Sequence, residues 1–142
     1  MIFGKRERVI KRILVVEDEP LVAFDNEHLL TDAGYEVVAT VDRLEDAQRV
    51  IDEEELDLVL ADIGLNGEGS GIGVAEAAHA KGVPVLFVTG NAPAEARSLG
   101  IGCLAKPYSG KMMRSALEAL DRKLQGKAVK RVPAGLSLYE EE

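Results

Sequence analysis

Glu17 and Asp18 directly follow the apolar run Ile13–Val16, Asp62 follows Leu58–Ala61, Thr89 follows Val83–Val88, and Lys106 follows Cys103–Ala105. Acids, a hydroxyl and an amine placed at the ends of apolar segments belong to a site rather than to a core. If those segments are parallel strands of one sheet, their carboxyl ends share an edge, and open α/β sheets bind ligands in the crevice outside that edge. A carboxylate there can attack phosphorus and carry the phosphoryl group as an acyl phosphate. Asp62, which lies between the other groups along the chain, is the candidate nucleophile. Crowded carboxylates repel one another and resist ionising, unless a hard cation such as Mg²⁺, which takes one or two carboxylates plus phosphate oxygens, neutralises them. Asp18 and Asp62 are its candidate ligands. Phosphoryl transfer is mostly positioning and charge stabilisation, so the Lys106 ammonium and the Thr89 hydroxyl suit two different oxygens of the group in transit. No protein general base is then required.

These segments have to be positioned by regular elements, and the chain alternates strand and helix patterns, as βα units with a mostly parallel sheet do. Pro20 suits a first helical position, and Val22, Leu29, Leu30 and Ala33 supply an apolar stripe that Gly34 ends. Tyr35 to Val41 reads as a second strand. Asp42 with Glu45 has the spacing of a capping box, and Leu44, Ala47, Val50 and Ile51 recur at helical spacing as far as Glu54. After the third strand, the stretch from Gly64 to Gly73 is glycine-rich, and a helical pattern resumes from Val74 to Lys81. Strand four is expected at Val83 to Val88 and a short strand five ends at Ala105. Ser109 can cap a last helix whose face carries Met113, Leu117, Leu120 and Leu124.

The segments LVVEDE (14–19), LVLADIGL (58–65), VLFVTG (85–90) and AKPY (105–108) resemble, in order and spacing, the receiver domain of two-component response regulators. The resemblance spans residues 12–124. It implies a doubly wound five-stranded parallel sheet of order 2-1-3-4-5, flavodoxin-like, with helices on both faces. It makes Asp62 the phosphoacceptor, Thr89 the switch hydroxyl and Lys106 the phosphate-binding lysine. Mg²⁺ would be held by Asp18, Asp62 and the Gly64 carbonyl, with Glu17 acting through water. The Lys106–Pro107 bond is expected to be cis. The implied partners are a sensor histidine kinase or histidine phosphotransfer protein and a downstream protein that the sequence does not name. The implied role is a regulatory phosphoacceptor, not an enzyme.

Composition bounds the alternatives. A chain of 142 residues builds one domain of ordinary size. Residues 1–11 form a basic extension, 12–124 the receiver and 125–142 a tail expected to be largely mobile, with room for neither a winged helix nor a similar module. The expectation is a stand-alone receiver. The formal charge of −8 opposes binding to phosphate backbones, and with no Trp there is little aromatic surface for single strands. Direct nucleic-acid binding is not expected. The charge is uneven: residues 1–12 sum to +4 and the remainder to −12. One cysteine, no stretch of signal-peptide length and no window near the length of a membrane span lead to the expectation of a cytoplasmic protein that does not engage membranes.

Each feature alone also has a plain structural explanation. An acid after a buried strand often only caps a loop, and GEGSGIG (67–73) fits neither the dinucleotide nor the P-loop glycine spacing. His28 and His79 lack a second ligand at metal spacing, and Met112 and Met113 suit the core and rim of the last helix. Two rival functions follow from the same residues. An aspartate-nucleophile phosphatase should carry a second Asp two positions on, where Gly64 stands; an unphosphorylated receiver-like scaffold is suggested by Cys103, which occupies a position commonly aromatic in the family. Asn66 stands where a proline is frequent, and FVTGN resembles a Phe-Ala-Thr-Gly group of stand-alone receivers. The 17-residue interval from Thr89 to Lys106 is short for the family, so helix four should be abbreviated between Ala92 and Leu99. In the tail, Leu136, Leu138 and Tyr139 could dock back on the domain.

Overall fold

The computed structural model describes residues 7–62, 70–90 and 94–139. Along the chain run β1 (Arg12–Val16), α1 (Pro20–Asp32), β2 (Glu36–Val41), α2 (Leu44–Glu53), β3 (Leu58–Asp62), α3 (Ser70–Ala80), β4 (Val85–Thr89), α4 (Ala96–Leu99), β5 (Gly102–Ala105), α5 (Gly110–Leu124) and β6 (Leu136–Leu138). They form one sheet of order β2-β1-β3-β4-β5-β6. The first five strands are parallel and follow the expected order 2-1-3-4-5. Among the described residues the sheet has six strands, not the expected five: β6, from the segment assigned to the tail, runs antiparallel on the outer edge of β5. A three-residue strand after Pro133 and Gly135 is too short to show alternation, and what recruits it is the open edge of β5.

Strand side chains alternate between the two faces, and the core divides accordingly. Ile13 and Val15, Leu58 and Leu60, Leu86 and Val88, and Leu104 pack with Leu30 of α1 and with Met113, Leu117 and Leu120 of α5. Leu14 and Val16, Val59 and Ala61, and Val85 and Phe87 pack on the other side with Ala47 and Ile51 of α2, Val74, Ala75 and Ala78 of α3, and Ala96 of α4. Helices therefore cover both faces. Strands buried on both sides read as continuous apolar runs, which is why they stood out in the sequence.

Helix ends differ in how they are held. Pro20 opens α1, and the Ser109 side chain accepts the Met112 N–H at 3.1 Å to cap α5. The capping box expected at Asp42 is not formed: α2 begins after Arg43, with no side-chain hydrogen bond at the cap. Burial of Ala47 and Ile51, rather than the cap, fixes that helix in place. The inward face of α1 carries Ala23, Asn26 and Leu30, while Val22 and Leu29 are only half-buried. On α5 the expected face holds through Leu120, but Leu124 is exposed because the helix by then runs past the sheet. Helix α4 is a single turn, as its short interval requires. The Lys106–Pro107 peptide is cis.

The segment before β1 packs as well. Ile10 is fully buried, and the Asp121 carboxylate accepts the Ile10 N–H at 2.9 Å and the Val9 N–H at 3.1 Å, tying this segment to α5. Removing that acceptor strands a buried donor, which costs about 1–3 kcal/mol. Asp121→Ala is accordingly expected to lower the unfolding free energy by that amount, seen as a lower urea midpoint with an unchanged slope of the transition; an unchanged midpoint would show that the segment contributes nothing to stability.

Candidate phosphoryl-transfer site

The strand register decides which side chains meet. Val16 pairs with Ala61, so Glu17 and Asp18 emerge from β1 beside Asp62 at the end of β3. Asp62 pairs with Val88, which places Thr89 one step further along β4, and Thr89 in turn pairs with Ala105, the residue before Lys106. The Lys106 N–H donates to the Thr89 carbonyl at 3.1 Å, extending this last ladder by one rung. Glu17, Asp18, Asp62, Thr89 and Lys106 thus share the carboxyl edge of the sheet.

Within that edge, Lys106 Nζ donates to Asp62 Oδ2 at 2.7 Å. Asp62 is almost entirely buried while the lysine side chain stays partly exposed, so a fixed acid faces a cation that can move. Carboxylate oxygens of Glu17, Asp18 and Asp62 all lie within 4.8 Å of one another. The Glu17 carboxylate also accepts the Glu19 N–H at 3.0 Å, which turns it inward at the start of α1. Burial pushes the Glu17 carboxyl up to about 7; the Glu19 N–H opposes this, and the Asp62 charge adds to it. Partial burial pulls the Lys106 ammonium down, but its bond to Asp62 and the charges of Asp62 and Glu17 outweigh that, and the net direction is up.

Two side chains near this site were not anticipated from the sequence. The Tyr108 hydroxyl donates to Asn26 Oδ1 at 3.0 Å, joining the loop after β5 to α1. Burial raises the Tyr108 phenol; the bond to Asn26 works against it, and the charge of Glu17 adds to it. A polar residue on the inner face of α1 carries no periodic signal, so Asn26 could be found only from the fold. Gly64, Asn66 and Asn91 lie outside the described residues, as does most of the glycine-rich stretch.

The donor set suits a hard divalent cation. Three acids cluster at this edge with one lysine on Asp62, and carboxylates crowded this closely resist ionising together unless a cation neutralises them. Among the described residues, no helix is long and apolar enough to cross a membrane.

The profile of the response regulator receiver domain matches residues 13–118. This chain belongs to that family. The receiver is similar to the phyllosphere-induced regulator PhyR of Methylorubrum extorquens, 37% identical over 79 residues, which are 54% of this chain and 30% of that one. This chain therefore spans less than a third of that relative. The solution structure of the BeF3-activated conformation of SdrG from Pseudomonas melonis superposes with a TM-score of 0.65 at 33% identity, covering 77% of this chain and 94% of that one. The crystal structure of an anti-anti-sigma factor PhyR variant from Bartonella quintana gives 0.69 at 26% identity, covering 86% of this receiver and 52% of that chain.

Proposed function

We propose that this receiver is a phosphorylation-dependent signalling switch whose phosphoacceptor is Asp62, charged by a sensor histidine kinase or a histidine phosphotransfer protein. The observation that carries this is the 2.7 Å contact between Lys106 Nζ and Asp62 Oδ2 beside the acids Glu17 and Asp18. Asp62 attacks the phosphorus of a phosphohistidine in line; the O–P bond forms as the P–N bond to the donor imidazole breaks. Lys106 follows the charge, leaving the carboxylate oxygen for a phosphoryl oxygen, and Thr89 donates its hydroxyl to another. Asp18 and Asp62, with Glu17 through water, would hold Mg²⁺, joined by the Gly64 carbonyl that the family resemblance implies, and the ion would supply the charge that the transferred oxygens need. The product is a carrier of state, not a catalyst of external turnover.

Exposed Leu21 and Phe24 on the first turns of α1, shortly after the acidic pair in the chain, offer a donor protein an apolar foothold. For output, we propose contact with another protein. The Bartonella relative is named an anti-anti-sigma factor, and a net charge of −8 disfavours nucleic acid as the direct target. We also propose residues 12–124 as the functional unit and a cytoplasmic location.

The test is acyl-phosphate chemistry. Incubation with acetyl phosphate or phosphoramidate and Mg²⁺ should add one phosphoryl mass per chain, removable by hydroxylamine and prevented by EDTA. No addition, or a hydroxylamine-stable phosphate on a hydroxyl residue, would reject the function.

A further inference from the structure

Strand β6 is tied to β5, the strand that leads into Lys106. The Ala105 N–H, directly before Lys106, donates to the Gly135 carbonyl at 2.8 Å, and the Tyr139 N–H donates to the Ile101 carbonyl at 3.0 Å. These two bonds bracket β5 at both ends. Tyr139 itself is buried in the second core cluster with Cys103 and Phe87. On the other edge of β5, Cys103 pairs with Phe87 and Ala105 with Thr89 of β4. The Arg97 guanidinium of α4 sits over the Tyr139 ring at 5.3 Å from its centre.

The neighbouring backbone is built to admit this segment. A Cβ at Gly102 would stand 2.7 Å from the Ser137 carbonyl oxygen, so only glycine lets β6 approach β5 so closely. Gly135 enters the strand at φ +84°, in the left-handed region that glycine occupies without strain.

We propose that Tyr139 is a positioning residue for the phosphoacceptor site: through Cys103 and the β5 backbone it holds Thr89 and Lys106 where they stand in the unmodified protein. The inference rests on the function proposed above. Thr89 and Lys106 must move to engage a phosphoryl group on Asp62, and Ala105, which pairs with Thr89 and precedes Lys106, is hydrogen-bonded to Gly135 before that group arrives. Docking of the tail and phosphorylation therefore oppose each other. By linkage, each weakens the other by the same factor.

The test uses the full chain, phosphoramidate and Mg²⁺, with intact mass for the rate of incorporation and amide exchange for the tail. Tyr139→Ala and Gly102→Ala, which release β6 by different means, are expected to raise the incorporation rate about fivefold or more, while Tyr139→Phe, which keeps the ring, stays within about twofold of wild type. Phosphorylation of the wild type should speed exchange of the Tyr139 and Ala105 amides, and mock treatment of Asp62→Asn should not. Phosphorylated wild type with unchanged exchange at both amides would overturn the coupling and leave the phosphoacceptor intact. A wild type that accepts no phosphoryl group at all would overturn both.

Discussion

Asp62→Asn is expected to abolish hydroxylamine-sensitive phosphate incorporation, and Lys106→Met to slow it by about 10²–10³-fold, the loss typical when one donor to a developing oxyanion is removed. The two variants separate nucleophile from electrostatic partner. Asparagine keeps the shape of Asp62 and a hydrogen-bond acceptor for Lys106, but its amide oxygen cannot form the acyl phosphate. Methionine keeps most of the length of Lys106 and removes the charge that sits 2.7 Å from Asp62 Oδ2. Methionine also leaves Glu17, Asp18 and Asp62 clustered without that lysine's charge, so repulsion within the trio should rise. The Lys106→Met protein should therefore gain more stability from Mg²⁺ than the wild type does, by thermal melting at matched ion concentrations. Incorporation in Lys106→Met at the wild-type rate would mean that the lysine serves the fold rather than the transfer. Wild-type phosphate on Asp62→Asn would move the acceptor elsewhere.

The site was legible in the sequence because every member closes an apolar run. β1, β3, β4 and β5 are buried on both faces, so their residues are nearly all apolar until the sheet ends, and the first polar residue marks the edge. Sheet order was not legible in that way; it came from resemblance, since apolar runs say nothing about which strands are neighbours. What the sequence hid depends on contacts between distant elements. Helix α3 begins at Ser70, four residues before the expected Val74, because Gly71 and Gly73 read as breakers. In the fold, a Cβ at Gly73 would come within 3.0 Å of Leu44 Cδ2, so the glycine serves close packing of α3 on α2. Ile10 and Asn26 are tied in by partners over eighty residues away, Asp121 and Tyr108. The segment Leu136–Leu138 is a strand only because β5 offers it an edge.

A second large effect is expected from pH in protein stripped of divalent ions. Glu17 titrates near its ordinary 4.5 when the chain is unfolded and at about 7 in the folded chain, chiefly because it is buried. Between those values the native state holds more protons than the unfolded state, so stability falls as pH rises. The contribution is fully present below about 4.5 and lost once pH passes about 7; a separation of this size corresponds to at most about 3 kcal/mol. Glu17→Gln cannot ionise and should flatten that slope, by urea titration in EDTA across the same window. Mg²⁺ should reverse the trend. A cation that profits from an ionised Glu17 competes with its proton, so Mg²⁺ affinity should climb from about pH 5 to about pH 8, and the stabilisation at fixed Mg²⁺, which follows the ratio of concentration to dissociation constant, should climb with it. In Glu17→Gln the rise should be much smaller. A Mg²⁺ affinity that stays level across this range in the wild type would mean that Glu17 does not face the ion. Asp18 and Asp62 would then have to hold it without the third acid that the register of β1 and β3 brings beside them.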